Sequence, residues 1–303
     1  MSWCLTSRCA RPVREPIRYI ERTRAWYAAL GFEKPYIWAD NRGEPIPFHK
    51  PKKSLNESRI AVITTAALFD PTKGDQGPRA LYNGSAKFFT PYRGEAAQAD
   101  TRISHIAYDR KHTSATDQRS WLPVEALRNA QTAGSIGEAG EFFYGAPTNR
   151  SQRVTRDEDA PALLSMIRED EVDAAVLVPN CPVCHQSVTL IARHLETHHI
   201  PTVIMGCAKD IVETAGAPRF VFSDFPLGNG AGKPGDALSQ ASTLSLALGV
   251  LANAVEPVTV DNPLVWSDDH GWKDDYSNPD KLNAEELAIR RAAFDEQKAA
   301  AKT

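Results

Sequence analysis

The chain has 303 residues, a net charge of −3 and a pI of about 6.3. This length suffices for one large α/β domain or two small ones, and the charge gives no general attraction to nucleic acid or to an anionic membrane. No apolar run reaches the length of a membrane helix, and arginines interrupt the start where a signal peptide would be apolar. We therefore expect a soluble, cytoplasmic protein with neither a nucleic-acid nor a membrane partner.

The amino-terminal third alternates regular elements with long irregular connections. Residues 1–15 are expected to form a mobile arm, and Pro16–Leu30 is a predicted helix. Four prolines make 34–55 an irregular connection. Arg59–Ala67 and Arg102–Tyr108 are predicted strands, separated by a polar, turn-rich stretch that suits a lid or an oligomer contact.

The middle of the chain predicts a βαβ unit. Asp173–Val178 is a nearly continuous apolar run, as in a strand buried on both faces. A helix is expected from Cys181 to about His199, followed by a second buried strand at Ile200–Met205. The two strands should therefore be parallel and the crossover right-handed. Further helices are predicted at Trp121–Ala133, Asp157–Asp170, Lys209–Ala215 and Asp236–Val255, with strand character near Ser135–Tyr144 and a strand at Arg219–Phe225.

This alternation predicts an α/β fold with a mostly parallel, doubly wound sheet and helices on both faces. We expect residues 16–256 to form this domain and 257–303 to form a polar carboxyl-terminal extension that contains a helix. Open sheets of this kind bind ligands at the carboxyl edge of the strands. The active edge should therefore be built from the loops that follow the predicted strands.

Cys181 and Cys184 lie at that edge, where a strand meets the amino end of a helix. A helix amino terminus favours negative charge, so a thiol there loses its proton more easily and becomes a nucleophile. A second thiol three residues on can attack a sulfur-bound adduct and close a disulfide, and C-x-x-C beside a βαβ pattern indicates redox chemistry. The alternative is that both are small buried core residues.

The sequence around these cysteines resembles a known family. NCPVCHQS after a buried strand, followed by a helix and IPTV, is similar to the selenoprotein B subunits of the glycine, sarcosine, betaine and D-proline reductases, and more closely to their cysteine-containing relatives. The resemblance extends over roughly residues 12–255 and includes the stretches Pro16–Ala39, Ser58–Asp70, Asp100–Asp109 and Asp224–Asn229. The characterised reductases carry a selenocysteine in this motif, where this chain has only Cys181 and Cys184.

The resemblance implies an oxidoreductase that reductively cleaves a carbon–nitrogen or similar bond of a small polar substrate. Cys181 would attack and Cys184 would resolve the adduct, and a dithiol or thioredoxin-like donor would reset the pair. The family's complexes use a separate pyruvoyl-bearing partner subunit, and we also expect a homo-oligomer. No cofactor is predicted, because the glycine-rich loop at 228–234 matches neither a phosphate-binding loop nor a dinucleotide fingerprint.

Two histidines are candidate acid–base residues. His105 is expected at the end of a strand, facing the same crevice as Cys181, where it could protonate a leaving group. His185 adjoins the start of the cysteine helix and could hydrogen-bond a thiolate or donate a proton. The alternatives are a core histidine for His105 and an ordinary helix-surface histidine for His185.

Four other residues at strand ends are predicted to bind substrate: Thr64, Thr65, Asn180 and Asp224. The two threonines are equally consistent with strand formation. Cys207 follows the next parallel strand and is either a third redox thiol or, as we favour, a core residue. Cys4 and Cys9 are interpreted as incidental.

Two other functions remain open on the sequence alone. The same cysteines could hold zinc, copper or an iron–sulfur cluster in a metal-binding protein, although no metal site is assigned. His194 and His198 are poor partners for such a site, because a helix rise places His194 roughly 15 Å from Cys184. A non-redox isomerase or lyase with two thiols as acid and base is the third possibility.

Overall fold

The structure is a computed structural model that describes residues 15–76 and 83–300. Cys4, Cys9 and most of the predicted amino-terminal arm lie outside these residues. The described helices are α1 (Tyr19–Ala29), α2 (Val124–Thr132), α3 (Gln152–Val154), α4 (Ala160–Glu169), α5 (Pro182–Thr197), α6 (Lys209–Ala215), α7 (Ala237–Asn253), α8 (Trp272–Asp275) and α9 (Ala284–Ala300). A π-helical stretch, Thr155–Asp159, joins α3 to α4. No helix in the described part of the chain has both the length and the apolar character needed to cross a bilayer.

The strands are β1 (Arg59–Thr64), β2 (Ala67–Leu68), β3 (Tyr92–Glu95), β4 (Thr101–Arg102), β5 (Glu138–Ala139), β6 (Phe142–Gly145), β7 (Ala174–Val178), β8 (Thr202–Gly206), β9 (Arg219–Phe222) and β10 (Val258–Asp261). The main sheet runs β10-β9-β8-β7-β1-β6-β3, and β5 pairs with β1 beside β6. Every pair in it is parallel except β3 with β6. The α/β fold with a mostly parallel sheet is thus confirmed.

Alternate residues of the central strands enter two separate hydrophobic clusters. In β1 and β7, Ile60, Val62, Ala174 and Val176 join the first cluster, which also contains residues of α2 and α7. Their neighbours, such as Ala61 and Ile63, join a second cluster with residues of α4, α5 and α6. Burial on both sides explains why these strands read as continuous apolar runs rather than as alternating ones.

The predicted βαβ unit is present as β7, α5 and β8, and β7 and β8 are parallel. Asp173 stands before β7 and accepts the backbone N–H of Arg59, which helps to set the register with β1. The irregular connection at 34–55 crosses α5, where the buried side chain of Gln186 accepts the N–H of Ala39. Tyr36 Oη accepts a hydrogen bond from the same Gln186 side chain. The connection therefore packs against the helix that carries the cysteines.

Several elements differ from the predictions, including β3, which lies in the stretch that was expected to be polar and turn-rich. The expected strand Arg102–Tyr108 is wrong: only Thr101–Arg102 is extended, in a two-residue antiparallel pair with β2, and the following residues form a loop. Conversely, the sequence analysis did not predict β10, which extends the main sheet beyond β9. Aromatic packing continues past β10, because Tyr276 contacts Tyr19 of α1 edge-on with ring centroids 5.4 Å apart. The division into arm, domain and extension stays a prediction.

Candidate functional site

Cys181 and Cys184 lie at the amino terminus of α5, as the sequence predicts. Cys181 is the N-cap residue, and its sulfur accepts the backbone N–H of Cys184 at 3.2 Å. Pro182 occupies the first helical turn, where no backbone N–H is needed. The two cysteines are joined as a disulfide, with Cα atoms 4.9 Å apart. This junction therefore brings the two sulfurs together and supplies a local N–H donor to the first of them.

Of the two cysteines, Cys181 belongs to the wall of the cavity at this junction and Cys184 does not. Cys181 is 4% exposed and lines a cavity of about 50 Å³, whereas Cys184 is fully buried and is not part of its wall. The other polar residues in the wall are Tyr27, Lys87, His105, Thr148 and Arg150. The Thr148 hydroxyl also donates to the Cys184 sulfur at 3.4 Å. A small ligand in this cavity would therefore meet Cys181 first.

His105 lies beside both sulfurs although it sits on a loop rather than on a strand. One of its ring nitrogens and the two sulfurs lie within 4.8 Å of one another, and all three residues are buried. The loop is held by a hydrogen bond of 2.7 Å between His105 Nε2 and the Thr65 carbonyl. Because a carbonyl can only accept, Nε2 carries the proton and Nδ1 keeps its lone pair. Burial lowers the pKa of His105 to about 4, so the ring is neutral at pH 7.

His185 is buried, so the interpretation as a helix-surface histidine is wrong. Its Nδ1 donates to the Cys181 carbonyl at 2.7 Å, and its Nε2 accepts the backbone N–H of Cys207 at 2.8 Å. Both nitrogens are thus engaged by the backbone, and neither is available to a thiolate. Burial lowers the pKa of His185 to about 4. The ring links the end of β7 to the end of β8 through neutral hydrogen bonds.

The four predicted substrate-binding residues have different surroundings and different partners. Thr64 Oγ1 donates to the Trp121 carbonyl in the core, and Thr65 Oγ1 accepts the N–H of Asn180. Asn180 is fully buried, and neither polar atom of its amide has a hydrogen-bond partner among the described residues. Asp224 forms an ion pair with Lys273 and is not part of the wall of the cysteine cavity. Thr65 is thus the only one of the four that contacts His105 directly by a hydrogen bond in the described structure.

Cys207 is a buried member of a third hydrophobic cluster, together with Tyr19, Phe225 and Trp272. Burial, and secondarily the charge of Asp224, raises the pKa of its thiol well above the ordinary value. A protonated, inaccessible thiol is a poor nucleophile. This placement fits the core interpretation of Cys207.

Four polar residues of the cavity wall were missed by the sequence analysis: Tyr27, Lys87, Thr148 and Arg150. Thr148 and Arg150 follow β6, so the rule that ligands bind at the carboxyl ends of parallel strands would have singled out this turn. Lys87 follows a single 3₁₀ turn, Gly84–Ala86, in a polar stretch without any motif. No local signal marks Lys87, because only the tertiary fold brings it to the cysteines.

Comparison with known proteins supports the family resemblance. The family model described as glycine/sarcosine/betaine reductase selenoprotein B matches residues 39–180. Over this range the chain is similar to that reductase family. The matched range contains β1, the His105 loop and β7, and it ends one residue before Cys181.

Individual relatives are distant. The chain is 27% identical to the D-proline reductase subunit gamma of Acetoanaerobium sticklandii, over 60% of this chain and 73% of the relative. It is 24% and 27% identical to the glycine reductase complex component B subunits gamma of Symbiobacterium thermophilum and Carboxydothermus hydrogenoformans, over 71% of this chain in both cases. The chain spans only about half the length of these two glycine reductase subunits, 51% and 50%. No solved structure matches.

Proposed function

We propose that the protein is a thiol-dependent reductase that uses Cys181 and Cys184 to cleave a carbon–nitrogen or similar bond of a small polar substrate. The observation that carries this proposal is the joined cysteine pair at the amino terminus of α5, with one sulfur at a cavity and His105 beside both. A reductase-related role also agrees with the relatives, which are named as subunits of D-proline and glycine reductases.

The reaction consumes the two thiols. The sulfur of Cys181 attacks the substrate carbon and forms a carbon–sulfur bond, while the bond to the leaving group breaks and its electron pair leaves with that group. The sulfur of Cys184 then attacks the Cys181 sulfur, the carbon–sulfur bond breaks, and the carbon takes up a proton. The products are the reduced substrate, the protonated leaving group and a disulfide. A dithiol donor, small or thioredoxin-like, reduces the disulfide and is itself oxidised.

The difference in exposure supports the order of the two steps. Cys181 reaches the cavity, so it is placed to attack, whereas the buried Cys184 is in contact with the Cys181 sulfur and is placed to resolve. The N–H of Cys184 and the dipole of α5 stabilise a thiolate on Cys181.

His105 is proposed as the residue that moves the proton. Its Nδ1 lone pair accepts the thiol proton of Cys181, since Nε2–H is committed to the Thr65 carbonyl. The imidazolium formed in this way then protonates the leaving group. The depressed pKa makes the imidazolium a strong acid in this second step and the neutral ring a weak base in the first, so the first step relies on the stabilisation of the Cys181 thiolate by α5.

His185 is proposed as a positioning residue rather than as an acid. It joins the Cys181 carbonyl to the N–H of Cys207 and so holds the start of α5 against the end of β8. The relatives further support a separate partner subunit, and a homo-oligomer remains part of the proposal.

Anaerobic mass spectrometry tests the reductase proposal. The reduced protein is incubated with candidate amino acids, betaines and heterocycles plus a dithiol, in the Cys184→Ser form so that an adduct cannot be resolved. We expect a thioether on Cys181 and none on Cys207. An adduct-free Cys181 with every candidate, together with no turnover by the unmodified protein, would contradict the proposal.

Metal binding is the second candidate, and one observation favours it. His105 donates its Nε2–H to a backbone carbonyl, as metal-binding histidines commonly do, and its ligand atom and the two sulfurs lie within 4.8 Å of one another. A set of two thiolates and one imidazole suits Zn²⁺ or Cu⁺. Metal analysis of anaerobically purified protein separates the candidates. One metal per chain that is lost in the Cys181→Ser/Cys184→Ser variant would favour metal binding over the reductase.

A further inference from the structure

Two cations share the wall of the cysteine cavity. Lys87 and Arg150 both line it, together with Cys181 and His105. Among the described residues that line the cavity there is no aspartate or glutamate. With Cys181 in the disulfide, the remaining wall residues named at this cavity are neutral. In that state no side chain of the wall carries a negative charge that would balance the two cations, and after reduction a Cys181 thiolate would balance only one of them.

Arg150 is held in place by aromatic rings. Its guanidinium lies over Tyr27 and Tyr36, 5.4 and 5.2 Å from the ring centroids. Its backbone is in the left-handed region, with φ of 56°, a conformation rare for a residue with a side chain. Tyr36 in turn is tied to Gln186 of α5 by a hydrogen bond of 2.8 Å. The position of the guanidinium is thus coupled to the helix that carries the cysteines.

Lys87 approaches from a different part of the chain. Its ammonium group lies over the ring of Phe89, 5.0 Å from the centroid, and the side chain is half-buried. Burial, and secondarily the charge of Arg150, lowers the pKa of Lys87 to about 8. Two like charges held in a partly dehydrated place raise the free energy of the empty site, and a bound anion relieves it.

We infer that Lys87 and Arg150 bind the carboxylate of an anionic substrate and so hold its reacting carbon beside the Cys181 sulfur. This inference rests on the proposed function, which supplies the thiol chemistry. Arginine offers a planar pair of donors that matches a carboxylate, and lysine adds a point charge. The cavity volume of about 50 Å³ accommodates a few water molecules or one small anionic group. Inorganic phosphate shares this chemistry, so the test must distinguish the two anions.

Two alkylating reagents of nearly the same size isolate the charge effect. Iodoacetate carries a carboxylate and iodoacetamide does not, and both alkylate thiolates. We compare the rate of iodoacetate at Cys181 with that of iodoacetamide, as the ratio of the first to the second. This ratio does not depend on the fraction of Cys181 that is ionised, because both reagents react with the same thiolate. In the dithiol protein we expect this ratio to fall about tenfold in Lys87→Gln and in Arg150→Gln, the size expected for losing one charged hydrogen bond.

Control variants distinguish the effect of losing a positive charge from an effect on folding. Lys87→Arg and Arg150→Lys should retain most of the ratio, and Lys50→Gln, which removes an exposed lysine elsewhere, should leave it unchanged. Melting temperatures of all variants are compared with that of the original protein. At constant ionic strength, acetate should protect Cys181 from iodoacetamide better than phosphate does. Better protection by phosphate would overturn the assignment to a carboxylate.

Different labelling results would overturn the anion site and the proposed reductase function. Fast alkylation of Cys181 by both reagents, with a ratio that the Gln variants do not change, would overturn the anion site and leave the reductase proposal standing. Slow alkylation of Cys181 by both reagents, no faster than that of Cys207, would contradict the reductase proposal and this inference with it.

Discussion

Cysteines follow two adjacent parallel strands at the same edge of the sheet, yet their surroundings differ. After β7, Cys181 caps a 16-residue helix and faces a cavity with Lys87 and Arg150. After β8, Cys207 packs among aromatic residues beside Asp224. Both positions satisfy the rule that places ligand sites at the carboxyl ends of parallel strands. The rule therefore finds the edge of the sheet, and the two positions differ in the adjoining cavity and in the local charges rather than in exposure, which is 4% for Cys181 and 3% for Cys207.

His185 connects these two regions. It accepts the N–H of Cys207 and donates to the carbonyl of Cys181, so the same ring contacts the start of α5 and the backbone that follows β8. Gly206 allows this approach, because a Cβ at that position would lie 2.8 Å from the His185 ring. The contrast between the two cysteines can therefore be tested at the thiols themselves and at the residues that link them.

Replacing the cysteines should give the largest contrast in turnover. We expect Cys181→Ser or Cys184→Ser to reduce turnover by about 10⁴-fold or more, because each sulfur forms or breaks a bond in the proposed reaction. Cys207→Ser should change it by about twofold or less, because its thiol is protonated and buried. Turnover is measured with the substrate identified by thioether formation. Equal losses in all three variants would remove the distinction between the two regions.

Thiol labelling should show the same contrast without a substrate. After reduction, at pH 7, we expect iodoacetamide to alkylate Cys181 at least about 10³-fold faster than Cys207, since a helix amino terminus lowers a thiol pKa and burial raises it. Peptide mass spectrometry of timed samples gives both rates. Similar slow rates at the two positions would contradict a nucleophile at α5. Labelling in urea provides the control that all cysteines can react.

The contribution of His185 to the free energy of unfolding should depend on pH. The pKa of His185 is about 4 in the folded protein and about 6.5 when unfolded, so the unfolded chain alone takes up a proton between these values. Stability from this residue is complete above pH 6.5 and falls by about 3 kcal/mol as the pH drops to 4.

Urea unfolding at pH 7.5, 6 and 5 measures this effect as a difference between the original protein and His185→Gln. Carboxyl groups with raised pKa values, such as Asp159 at about 6, act in the opposite direction and cancel in the difference. The variant should be less stable at pH 7.5, because a buried hydrogen bond is lost, and should lose less stability on acidification. Parallel pH profiles would show that His185 does not titrate as its burial implies.

The smallest expected effect tests the packing between the two regions. Gly206→Ala should destabilise the protein by about 1–3 kcal/mol, because the new methyl group overlaps the His185 ring. It should also slow Cys181 labelling by displacing the start of α5. Gly249→Ala is the matched control, since it lies in α7 with no atom within 4 Å of the added methyl group. There we expect a gain of about 0.5–1 kcal/mol from helix propensity. Unchanged stability in Gly206→Ala would show that the ring moves aside freely.

The sequence by itself determined the βαβ unit and the position of the cysteine pair. These features depend on local patterns: a continuous apolar run for β7, a capping residue and proline at the start of α5, and a second apolar run for β8. Cys181 and Cys184 are three residues apart on one helical turn, so their contact requires no distant part of the chain. For the same reason, the helix predicted from Asp236 is present as α7, which Asp236 caps by accepting the N–H of Ser239.

Only the tertiary structure decided what surrounds the cysteines. His105 was expected at the end of a strand, but in this stretch only Thr101 and Arg102 pair with another strand. The loop that follows is positioned by hydrogen bonds to distant residues, between His105 and the Thr65 carbonyl and between the Asp109 N–H and the Leu227 carbonyl. The burial of His185 and the arrival of Lys87 and Arg150 likewise depend on residues far away in sequence. A hydrophobic pattern reports which face of an element is buried, but it does not report which distant charges that burial brings together. The charges around Cys181 and Cys207 are therefore properties of the fold and not of the motif.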